Sequence, residues 1–153
     1  MSTGHGILQK TQQALQSYVL TAALSYNPSV VCGVSRGKNP LVADEEESSP
    51  LPMVVCDCRR GTIDQDQSLS PWKVDVTVSL HESVDDTTED LHLAHGDELM
   101  NALMDTTLAA DLSTEDDYTC FLAVFQDLSY EIAGRRWVTT LNLQLDCAGF
   151  DIT

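Results

Sequence analysis

The chain has 153 residues, 42% apolar and 21% charged, with 24 acids against eight bases and a net charge of −16. Length and composition fit one globular domain, residues 1–153, with enough apolar surface to build a core. The charge speaks against non-specific binding to a phosphate backbone, which needs clustered Lys and Arg, and no apolar run approaches the roughly 20 residues that cross a bilayer.

The charge is unevenly placed. Residues 1–43 hold Lys10, Arg36 and Lys38 and no acid, whereas the remainder sets 24 acids against five bases, a charge of −19. Such asymmetry suits complementary surfaces that dock head to tail, and it equally suits one solvated acidic face. The N-terminus lacks a charged start followed by an apolar stretch and a cleavage site. The five cysteines, Cys32, Cys56, Cys58, Cys120 and Cys147, are an odd number ill suited to a secreted disulfide framework. The expectation is a cytosolic chain with reduced, buried thiols.

From Ile7 to Leu24 the apolar positions Ile7, Leu8, Leu15, Tyr18, Val19, Ala22 and Ala23 recur at three- and four-residue steps, opposite Gln9, Gln12, Gln13 and Gln16. This predicts an amphipathic helix about 27 Å long, ended by Asn27 and Pro28. Val30 to Val34 reads as a short strand. The stretch from Ser35 to Pro52 carries Gly37, Pro40, the acidic run Asp44, Glu45, Glu46 and Glu47, and Pro50. A long mobile loop is expected there, and a loop of that length is a candidate partner contact.

Met53 to Arg59 reads as a strand, and Gly61 to Pro71 as a polar turn region. In Trp72 to Leu80, Trp72, Val74, Val76, Val78 and Leu80 alternate with Lys73, Asp75, Thr77 and Ser79, the pattern of an antiparallel strand with one face buried and one wet. Asp85, Asp86 and the hydroxyls and acids of Thr87 to Asp90 mark the start of a second helix, Thr88 to Ala110. Its stripe of Leu91, Ala94, Leu99, Ala102 and Leu103 should lie across a sheet. Two further strands follow, Cys120 to Tyr130 and Arg136 to Cys147, separated by a turn at Gly134. The expected fold class is α+β: a mainly antiparallel sheet of four to five strands with two helices packed on one face.

Chemistry-bearing groupings are sparse. Cys56 and Cys58 project to one side of their strand, but zinc sites pair two such couples and no second couple is present. His92 and His95 stand three apart and can share a helix face, with Asp90, Glu98 or His81 as conceivable further ligands; the spacing is not a metalloprotease signature. No nucleophile elbow and no phosphate-cradling glycine loop occurs. The reading is of a protein that is not an enzyme, with no catalytic, cofactor or metal residue.

The run PWKVDVTVSLHESVDD, the long helix after it and the terminal AGRRWVTTLNLQLDC resemble the tail-terminator, or tail-completion, proteins of long-tailed bacteriophages and prophages, in a plan spanning residues 5–150. The resemblance implies a virion structural protein, assembled in the host cytoplasm into a ring, usually a hexamer. Such a ring caps the tail tube, stops its polymerisation and presents a joining surface to the head connector. Its partners would be copies of itself, the tail-tube protein and a neck protein, with DNA passing through the channel without specific binding. No cofactor is implied. The acidic residues Asp44, Glu45, Glu46, Glu47, Asp85 and Asp86 are expected to face either the channel or a docking surface. The long Ser35 to Pro52 segment and the paired cysteines depart from the family plan. They leave open another neck protein or a tail-associated adaptor, and the charge leaves open an acidic inhibitor that mimics nucleic acid.

Overall fold

The computed structural model describes residues 4–32, 51–63, 72–105, 107–113 and 118–148. In chain order these form α1 (Gly4–Thr21), β1 (Ser29–Cys32), β2 (Met53–Ile63), β3 (Trp72–Ser83), α2 (Glu89–Leu103), α3 (Leu108–Leu112), β4 (Thr119–Ala133) and β5 (Arg136–Ala148). The strands make one sheet in the order β1-β2-β3-β5-β4, with β1 parallel to β2 and every other pairing antiparallel. This is the α+β fold expected from the sequence.

Alternation on the strands decides where the core lies. Val74, Val76, Val78 and Leu80 of β3 stand beside Leu145, Leu143, Leu141 and Thr139 of β5, and Cys56 and Cys58 of β2 flank Val78 and Val76. All of these project to one face, against Ile7, Leu15, Val19, Leu99, Leu103, Leu108 and Leu112 of the three helices. Each such side chain contributes about 1.5–3 kcal/mol when fully buried. The other face carries a cross-strand polar ladder. Lys73 Nζ pairs with Asp146 at 3.1 Å, Gln144 donates to Asp75 at 3.1 Å, and Asn142 accepts from Thr77 at 3.0 Å while donating to Asp127 at 2.7 Å.

Several expectations change. α1 ends at Thr21, ahead of Asn27 and Pro28, because Ala23 enters the left-handed region at φ 54° and the chain turns to bury Leu24. The helix expected to continue to Ala110 stops at Leu103. Asp105 accepts from the Thr107 backbone at 2.9 Å and its hydroxyl at 2.8 Å, a local bond that competes with helix continuation, and α3 restarts beyond it. β2 runs on through Gly61 to Ile63, with a register shift between Cys58 and Arg60. Nor is the face opposite the helices wet throughout: Met53, Val55, His81 and Val138 are buried there, around the row that joins β2, β3 and β5.

Candidate functional site

The sheet has two unlike edges. β1 is four residues long, and its Val30 carbonyl accepts a hydrogen bond from Gln16 Nε2 at 2.9 Å, so α1 blunts that edge. β4 is fifteen residues long, has β5 as its sheet neighbour, and contains no Lys, Arg or Pro, the residues that commonly guard an edge. Its guards are the exposed acids Asp127 and Glu131 and two irregularities, between Cys120 and Leu122 and between Phe125 and Asp127, which twist the strand and reset its alternation. The reset leaves Leu122 and Val124 exposed on the ladder face and Leu128 and Ile132 exposed on the helix face, and Phe121, the extra residue of the first irregularity, is exposed as well. Ile132 is 60% exposed and Leu122 51%, so each face of the strand carries a pair of exposed large apolar side chains. On α2, Glu89 and Leu93 lie one turn apart on the same side, and Tyr130 Oη donates to Glu89 at 2.9 Å, so the half-exposed Leu93 extends the helix-face strip.

A buried polar cluster holds α2 to the sheet beside this edge. Glu82 receives both imidazoles: His92 Nδ1 lies 2.8 Å from Oε1 and His95 Nδ1 lies 2.7 Å from Oε2. His92 Nε2 meets Thr139 Oγ1 at 2.7 Å. Because a carboxylate only accepts, Nδ1 of each ring donates to Glu82, and Nε2 of His92 shares a hydrogen with the Thr139 hydroxyl. Tyr26 stacks on His95 at 4.2 Å, while Tyr130 and Trp137 close over His92. Trp137 is itself fixed by its indole N–H on the Thr87 carbonyl, at 2.7 Å.

Thr139, His92 and Glu82 have the hydroxyl–imidazole–carboxylate order of a catalytic triad. Yet the α2 backbone stands where a substrate would: a Cβ on Gly96 would lie 3.5–3.8 Å from Thr139 side-chain atoms, and His92 and Glu82 are buried. What this arrangement does is orient α2 and satisfy three buried polar side chains. His92 and His95 do share a helix face, as their spacing predicts. Their partner, Glu82, was missed because the strand pattern was read only to Leu80, although residue 82 continues the inward parity. Glu98 instead accepts from the Ser25 backbone and hydroxyl, both at 2.6 Å, and His81 projects to the opposite sheet face.

Of the acidic residues singled out from the sequence, Asp44, Glu45, Glu46 and Glu47 lie outside the described residues, as does the rest of the expected loop up to residue 50. Asp85 and Asp86 are exposed in the turn between β3 and α2, where Asp85 pairs with Arg135 of the β4–β5 turn. They sit beside the Tyr130 end of the β4 edge. Cys56, Cys58, Cys120 and Cys147 are buried and Cys32 half-buried, all as free thiols. Burial pushes Cys120 up to about 12 and Cys147 up to about 11, and raises Cys56 and Cys58 as well, so these thiols stay protonated and poorly nucleophilic. Among the described residues no group of three or more His, Cys, Asp or Glu could hold a metal ion. No helix among the described residues is long and apolar enough to cross a membrane.

The sequence matches no protein-family model and no curated protein.

Proposed function

We propose that this chain is a virion assembly protein of the tail-terminator class, whose copies associate into a ring. That ring caps a tail tube, stops its growth and offers a joining surface for the head connector. The observation that carries the assembly reading is the β4 edge: fifteen residues with exposed apolar side chains on both faces and no cationic guard, beside a polar cluster spent on holding α2 in place. Such an edge is a liability in a monomer and an asset in an oligomer. The tail-terminator identity rests on the sequence resemblance across residues 5–150. The acidic residues Asp85 and Asp86, with the run Asp44 to Glu47, would line the channel, where like charge keeps passing DNA from adhering, or would steer a basic neighbour.

The rival reading, an acidic mimic of nucleic acid, needs free carboxylates in a regular row. On the ladder face Asp146 is instead paired with Lys73, and Asp75 and Asp127, though charged, are tied to the side chains of Gln144 and Asn142. The test of the proposed function is co-assembly: added to polymerising tail-tube protein, the chain should bind tube ends and fix tube length, and tubes of unchanged length without bound chain would refute it.

A further inference from the structure

Resting on the assembly reading, we infer that the contact between copies is head to tail: the β4 edge of one copy docks on the α1–β1 edge of the next. The charge division of the sequence becomes a division in space. Every described element carries at least one Asp or Glu except α1 and β1. Both pack on β2, β1 as one edge of the sheet and α1 over the face beside it, where Thr11 also reaches Tyr118 and Cys147, and β4 forms the other edge. The β4 edge bears Asp127 and Glu131, both exposed, with Glu89 nearby and no base on the strand; the neighbouring Asp146 is paired with Lys73.

A two-fold contact of β4 with β4 would set these acids against their own copies, in a chain whose net charge is already −16. Docking on α1 and β1 avoids that repulsion. The outer side of α1 offers Gln9, Gln13 and Ser17, with Leu20 57% exposed and Lys10 alongside, a surface without acids that can receive Leu128 and Ile132. Because Gln16 occupies the Val30 carbonyl, the contact is side-chain packing of the β4 strip on α1 and not one continuous sheet. Two different patches at opposite edges of one sheet generate a ring if the rotation closes and a filament if it does not, whereas a self-complementary patch stops at a dimer.

The test uses two full-length variants, Leu128→Glu with Ile132→Glu on β4, and Leu20→Glu on α1, each confirmed folded by circular dichroism. The milder Leu128→Ser and Leu20→Ser are read alongside. Native mass spectrometry of each glutamate variant alone should show monomer. An equimolar mixture should show a heterodimer, because each variant retains one of the two patches, and should go no further. If the wild type forms rings, and the Leu20→Glu variant assembles like it or the mixture stays monomeric, the head-to-tail contact is overturned while the assembly reading stands. If the wild type itself remains monomeric across concentration and salt, both fall.

Discussion

His92 of α2 and Thr139 of β5 meet at 2.7 Å, Nε2 to Oγ1, and this bond completes a polar chain that crosses the seam between helix and sheet to Glu82. Thr139→Val leaves a buried imidazole nitrogen without its hydrogen-bond partner, and the expected loss is about 1–3 kcal/mol of unfolding free energy. His92→Ala leaves Glu82 with half its partners and should cost about 3–5 kcal/mol. Urea denaturation at low protein concentration measures both. Losses under about 0.5 kcal/mol, the scale of ordinary surface substitutions, would mean the cluster is incidental.

Gly96 provides a second check on the same seam. A methyl group there would sit 3.5 Å from Thr139 Cγ2, an ordinary contact, and Gly costs a helix interior about 1 kcal/mol relative to Ala. Gly96→Ala should therefore stabilise the chain by roughly 0.5–1 kcal/mol, whereas the branched Gly96→Val should destabilise it. A destabilising alanine would contradict an ordinary van der Waals contact between α2 and Thr139 at this seam.

The strands β3 and β5 were legible because period 2 runs unbroken through Trp72 to Leu80 and Arg136 to Cys147, and the fold class follows from them. β4 was legible as a strand but not as an exposed edge. Its two irregularities each insert a residue, so apolar side chains at Leu122, Val124, Leu128 and Ile132 fall on opposite faces, and no count of alternation reveals it. The break between α2 and α3 depends on one side-chain bond from Asp105, and the Glu82 cluster on contacts ten and more residues apart. Periodicity senses neither.

His81 sets a pH dependence. It is 1% exposed, its Nε2 lies 3.1 Å from Ser79 Oγ, and its Nδ1 has no hydrogen-bond partner among the described residues. Burial first, then the charge of Arg136 and then His92, bring its pKa down to about 4 from the ordinary 6.5. The folded value lies below the unfolded one, so between these pH values the unfolded chain binds the extra proton. The contribution is fully present above pH 6.5 and falls away as pH drops towards 4. The shift corresponds to roughly 3 kcal/mol. Unfolding free energy followed against pH should show that slope in the wild type and a flatter one in His81→Leu; identical slopes would contradict it.

The cysteines act as small apolar side chains. Cys56→Ser buries a hydroxyl on the core face beside Val78 and should cost about 1–3 kcal/mol, more than Cys56→Ala if the hydroxyl stays unpaired. Equal stability for serine and cysteine, together with rapid modification of the native protein by a thiol reagent, would contradict a buried structural role.

Assembly through the β4 edge is the central claim, and native mass spectrometry of the wild type beside the variant carrying Leu128→Glu and Ile132→Glu tests it most directly, with negative-stain micrographs of the same samples. The account predicts a discrete closed oligomer, ring-shaped in projection, for the wild type and a folded monomer for the variant. A wild type that stays monomeric at every concentration and salt, or a variant that forms the same rings, would contradict it.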